Sequence, residues 1–187
     1  LEGIPAEMVE PLLTEAPCLR QGDPLLYTEP LSRAGTVYLF GAGHVGKALV
    51  PILAMTDFRV VICDARPHAA NRELFPQAAK VKCLAYEDAF SHLPPVTEED
   101  YIVIMTPGHQ ADFEVLRQAL ATPARYIGCI GSRRKVAATR EKLLAVGIPA
   151  EEIDRVWSPI GLDIGADTPA EIAVSVAAQL IASRSRH

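Results

Sequence analysis

The chain has 187 residues, enough for one α/β domain with a sizeable core. Its 23 acidic and 18 basic residues leave a formal net charge of −5, so the surface as a whole will not attract nucleic acid. No run of eighteen apolar residues marks a membrane span, and no basic-then-apolar leader marks secretion, so the cytoplasm is the natural compartment.

The four cysteines, Cys18, Cys63, Cys83 and Cys129, have neither CxxC nor zinc spacing, and no metal site is expected. Three of them fall in or beside expected strands, where an inert buried thiol is the plain reading. Residues 1–35 carry Pro5, Pro11, Pro17, Pro24 and Pro30, which interrupt any long helix. They read as a tail or linker, with a possible short edge strand between Pro24 and Pro30. The absence of an initiator Met suggests a piece of something larger.

From Thr36 onward strands and helices alternate, which predicts a domain over 36–187. The first strand, about 36–40, runs into Gly41-Ala-Gly43-His44-Val-Gly46, and a helix is expected over about 44–55. Gly41 suits the tight turn, Gly43 a close approach to a pyrophosphate, and Gly46 close packing of helix on strand. The helix N-terminus adds unpaired N–H groups. His44 could donate to a phosphate, move a proton, or simply face solvent.

The second strand, about 58–63, ends at Asp64, placed where an acid would bind a ribose diol; Arg66 could pair with a phosphate or with a neighbouring acid. With both present, NAD and NADP are not separated. A third strand is expected over about 80–84 and a short helix near 86–91. The fourth strand, about 101–105, is purely apolar, as in a central parallel strand covered on both faces.

It leads into Thr106-Pro-Gly108-His109-Gln-Ala-Asp112 and a helix over about 110–121. His109 and Asp112 could act as a base and its support, or Asp112 could serve only the helix N-terminus. The fifth strand, about 125–130, is followed by Gly131-Ser132-Arg133-Arg134-Lys135, which opens a helix over 133–146. Cations oppose the dipole at a helix start, so an anionic ligand would explain them better than helix stability does. A loop containing Gly161, Asp163, Gly165 and Asp167 precedes Thr168-Pro169-Ala170-Glu171, a capping box with Pro at the first helical position. The pattern predicts a Rossmann-like doubly wound parallel sheet, strand order about 3-2-1-4-5, with helices on both faces and ligands at the carboxyl ends of the strands.

Five motifs stand in this order: Gly41–Gly46, Asp64-Ala-Arg66-Pro67, Thr106–Asp112, Gly128-Cys-Ile-Gly-Ser-Arg-Arg-Lys135, and Ile160–Ser175. Together they resemble the C-terminal Rossmann domain of the XdhC/CoxI family, accessory factors for xanthine dehydrogenase and related molybdenum hydroxylases. The resemblance covers about Thr36 to Ile181. It implies binding of molybdenum cofactor (molybdopterin), its retention while a cysteine desulfurase provides the terminal sulfur, and delivery to an apo-hydroxylase. It also implies that the separate N-terminal domain common in the family is missing, with residues 1–35 its trailing linker. No sulfur-transfer role is assigned to Cys63 or Cys129.

A nicotinamide-dependent oxidoreductase and a nucleotide-sensing domain are the alternatives, with NAD(P) as their ligand. The candidate cofactor-binding residues are Gly41, Gly43, His44, Gly46, Asp64, Arg66, Thr106, Gly108, Gly131, Ser132, Arg133, Arg134, Asp163 and Gly165. His109 and Asp112 are the candidate catalytic pair. The apolar final helix and the Gly161–Asp167 loop leave surface that suggests a homodimer.

Overall fold

The computed structural model describes residues 18–20, 26–28 and 35–184, with the Arg133 side chain outside the described atoms. The chain divides into two units, Leu1–Arg33 and Ala34–His187. In the first unit, Cys18–Arg20 pairs antiparallel with Leu26–Thr28. The strand expected between Pro24 and Pro30 therefore exists, but it belongs to a two-stranded sheet of its own.

The second unit is built on a six-stranded parallel sheet. Its strands are β1 (Thr36–Phe40), β2 (Arg59–Asp64), β3 (Lys80–Cys83), β4 (Tyr101–Ile104), β5 (Tyr126–Cys129) and β6 (Val156–Trp157). Their order is 3-2-1-4-5-6. Its helices are α1 (His44–Met55), α2 (His109–Ala119), α3 (Arg133–Ala145), the short α4 (Ala150–Ile153) and α5 (Pro169–Arg184). Single 3-10 turns, Arg72–Leu74 and Ala89–His92, stand on either side of β3; the second replaces the short α-helix expected near 86–91.

Strand periodicity explains the layering. Val37, Leu39, Val60, Ile62, Tyr101 and Val103 face one way, and there they pack with Leu49 and Leu53 of α1 and Val176 and Leu180 of α5. Tyr38, Phe40, Val61, Cys63, Ile102 and Ile104 face the other way, against Val115 and Leu116 of α2 and Leu143 of α3. Both faces of the central strands are covered, hence their unbroken apolar runs. Helices therefore flank the sheet on both sides, and β1 and β4, adjacent in the sheet, mark the point where the strand order reverses.

The sixth strand was not expected from the sequence. Val156–Trp157 is only two residues long, too short for any period, and its ladder pairs Ile127 with Val156 and Gly128 with Trp157. The terminal helix starts as the sequence predicts. Thr168 Oγ1 accepts from the Glu171 amide (3.3 Å), while Glu171 Oε2 accepts from the amides of Thr168 (2.8 Å) and Asp167 (3.0 Å).

Candidate functional site

The residues after β1 and β2 are locked together before any ligand is considered. Gly41 turns at φ +116°, and a Cβ there would lie 2.2 Å from the Met105 carbonyl oxygen, so the β1 and β4 ends touch at this point. Its amide donates to Cys63 O at 2.9 Å. Gly46 performs the packing expected of it: an added Cβ would come within 2.6 Å of Gly41 O. Gly43 is different. A Cβ on it meets nothing within 4 Å, so its missing side chain leaves open space in front of the loop.

Asp64 does not present its carboxylate to that space. It is fully buried and accepts four hydrogen bonds: Ala42 N and Arg66 Nη2 on Oδ2, Arg66 N and Arg66 Nε on Oδ1, at 2.7–2.9 Å. A carboxylate has about four acceptor sites. The glycine loop and Arg66 together occupy all of these sites. Burial pushes this carboxyl up. Hydrogen bonds from the Arg66 guanidinium and from the Ala42 and Arg66 amides, with the Arg66 charge, outweigh it and hold the group below the ordinary carboxylate range.

A hollow of about 190 Å³ opens over this loop, lined by Gly43, His44, Lys47, Arg66 and His68, with Ala42, Ala69 and Leu74. Lys47 N, 2.9 Å from Gly43 O, is the first α1 amide to bond back, so the amides before it remain at the helix mouth. Among the described residues no carboxylate lines the hollow. Its polar side chains are histidines and cations, and the negative charge beneath it is already neutralised by Arg66. Lys47 and His68 were missed at the sequence level, although Lys47 lies one residue beyond the last motif glycine, within the first helical turn.

The residues after β4 form a latch. Thr106 is buried, and its amide and hydroxyl both donate to Asp112 Oδ1, at 3.1 and 2.6 Å. Gly108 caps α2 at φ +131°. The expected His109–Asp112 pair is not formed: Asp112 turns back to Thr106, and His109 is exposed without a hydrogen bond among the described residues. Burial raises the Asp112 carboxyl; the Thr106 hydrogen bonds and the charges of His109 and Lys135 offset this only in part. Thr106 accordingly acts as a structural clasp.

Gly131, His109 and Asp112 line a separate cleft of about 220 Å³ between α2 and α3. Ser132 caps α3 with its backbone, its hydroxyl making no cap bond, and lines an adjoining groove with Arg134. Arg133 opens α3, but its side chain is outside the described atoms. Asp163 and Gly165 line neither hollow. Gly161 N donates to Gln179 Oε1 (2.8 Å) and Ser175 Oγ donates to Leu162 O (2.6 Å), which fastens the start of their loop to α5 instead. Cys63 and Cys129 are buried, and burial pushes each thiol up to about 12, far from the thiolate that sulfur chemistry needs. Among the described residues no three His, Cys, Asp or Glu side chains gather as a metal site would require, and no helix is long and apolar enough to cross a membrane.

A doubly wound parallel sheet with a glycine loop between its first strand and first helix defines a Rossmann-type domain. The family model described as the XdhC Rossmann domain matches residues 37–180, and the chain belongs to that family. It is 35% identical over 148 residues to a probable xanthine dehydrogenase subunit from Bacillus subtilis, covering 79% of this chain and 42% of that protein. It is 32% identical over 143 residues to the uncharacterized protein YqeB of Escherichia coli, covering 76% of this chain and 26% of that one. A crystal structure titled as a xanthine dehydrogenase from Bacillus halodurans superposes with a TM-score of 0.72 at 33% identity, covering 87% of this chain and 46% of that one. The chain thus spans less than half the length of each of these relatives.

Proposed function

We propose that this chain is the Rossmann part of an accessory factor for a xanthine dehydrogenase-type molybdenum hydroxylase, and that it holds molybdenum cofactor by its phosphate over the glycine loop. The reading includes a cysteine desulfurase as sulfur donor and the apo-hydroxylase as recipient. Family membership and the names of two relatives support the partner class. One observation carries the ligand class: the Gly43 hollow is open, is lined by His44, Lys47, Arg66 and His68, and has no free carboxylate.

The donor set fits a phosphate. The hollow is smaller than the roughly 300–1,000 Å³ of pockets that enclose a whole drug-sized ligand. It suits the phosphate end and leaves the rest of the molecule outside the loop. The cofactor, when bound, supplies the molybdenum chemistry. Gly43 would admit the phosphate, Lys47 would supply the charge that meets it, and Arg66, paired with Asp64, would hold the loop in place beneath it.

The oxidoreductase alternative needs a supported proton donor, and Asp112 is engaged by Thr106 and not by His109. Native mass spectrometry of protein purified from a molybdenum-replete host should show a bound molybdopterin species. Adding the protein with cofactor and sulfur donor to apo-hydroxylase should raise hydroxylase activity. Steady NAD(P)H oxidation with a small carbonyl substrate, abolished by His109→Ala, would overturn the reading.

A further inference from the structure

We propose that the cleft between α2 and α3 is a second ligand site, independent of the glycine-loop hollow, and that it takes a small organic anion carrying an apolar ring or chain. This goes beyond the cofactor reading, which uses only the hollow over Gly43. The two cavities have no lining residue in common: one lies over the ends of β1 and β2, the other over the ends of β5 and β6.

The cleft joins two chemistries. Leu116, Leu143, Ile153 and Val156 supply apolar walls within about 220 Å³. Water gains little from such walls, whereas an apolar group of matching size does. The mouth is cationic. Lys135 lies at the rim, and the adjoining groove of about 440 Å³ along α3 adds Arg134 and Lys142. Arg134 and Lys142 are exposed and have no ion-pair or hydrogen-bond partner among the described residues.

The nearby acids cancel only part of this charge. Asp154 is paired with Arg140 at 2.5 Å, and Asp112, held by Thr106, is set against the charge of Lys135, which leaves the groove cations Arg134 and Lys142 in excess. Cys129, at the inner wall, remains a neutral thiol. An excess of positive charge on a chain of net charge −5 is thus concentrated beside an apolar recess. Charge at the lip and apolar area inside select for an amphipathic anion over inorganic phosphate.

The test is methyl NMR of the full chain titrated with 2-naphthoate, with inorganic phosphate as the comparison. We expect saturable shifts at the Leu143 and Ile153 methyls with 2-naphthoate and none there with phosphate. Lys135→Glu, an exposed change that should leave the fold intact, is expected to weaken binding about tenfold or more. Thr139→Trp, at the rim, should block the cleft. Gly43→Val should leave this titration unchanged, which separates failure of this site from failure of the glycine-loop reading. Shifts confined to the Leu162 and Ile164 methyls, equal binding in Lys135→Glu, or loss of binding in Gly43→Val would each overturn the proposal.

Discussion

Asp64 and Asp112 are both carboxylates at the carboxyl ends of strands, and their surroundings push them in opposite directions. Asp64 is held below the ordinary range, so its ionised form stabilises the fold above about pH 4, and that contribution is lost as pH falls through its native value. Asp64→Asn should cost about 2–3 kcal/mol at neutral pH, less than a fully buried pair because the Arg66 side chain is 38% exposed. Thermal melts should show the gap from the parent protein closing as pH falls below the ordinary carboxylate value and through the lowered native one. Asp112 is raised, so its ionised form costs stability above the ordinary carboxylate value, and the cost disappears as pH falls through the raised native value. Asp112→Asn, which keeps an acceptor for Thr106, should therefore melt no lower than the parent at neutral pH. Gly43→Val meets no neighbour and a negative φ of −80°, so it should leave the melting temperature within about 2 °C while abolishing phosphate-ligand binding in calorimetry.

At the scale of the element, α1 depends on the two glycines that flank Gly43. A Cβ at Gly46 would press on Gly41 O at 2.6 Å, so Gly46→Ala should cost about 1–3 kcal/mol in denaturant unfolding, even though Ala is the better helix former. The opposite sign would show that α1 can move away from β1. Helix α5 is tied down at both ends: the Thr168–Glu171 capping box starts it, and Arg184 near its end donates to Thr56 O (2.9 Å) and stacks over Phe58 at 4.5 Å. That box was legible from four residues, because capping is local chemistry. Strand β6 was not, because two residues carry no period and only pairing with β5 makes them a strand.

At the scale of the molecule, one buried amide joins three parts of the fold. Gln179 on α5 accepts from Tyr126 Oη of β5 (2.6 Å) and from Gly161 N (2.8 Å), and donates to Gly161 O (3.3 Å). Gln179→Met keeps the volume and removes the polar atoms, leaving the Tyr126 hydroxyl and the Gly161 amide without a partner. Its expected cost is about 2–4 kcal/mol by denaturant unfolding, and a neutral result would show that this junction does not hold the loop. Trp157, Leu162, Ile164 and Val174 are large apolar side chains left exposed on β6, the following loop and α5. We propose that they contribute to a homodimer, to be read by sedimentation at increasing concentration; a monomer throughout would count against it.

The sequence by itself determined the alternation of strands and helices, the order of the first five strands, the glycine turn, and the capped terminal helix. Each of these rests on local chemistry: side-chain period, backbone freedom at glycine, and hydrogen bonds within a few residues. Which way a polar side chain turns is decided by what arrives from elsewhere in the chain. Asp64 meets Ala42 N, 22 residues away, and so clasps the loop. Asp112 meets Thr106 in place of His109. The basic turn at Ser132 and the loop at Asp163 both follow strand ends, yet one lies beside a cleft and the other is fastened to α5. Spacing along the chain could not distinguish them, because the difference lies in which helix packs against each loop.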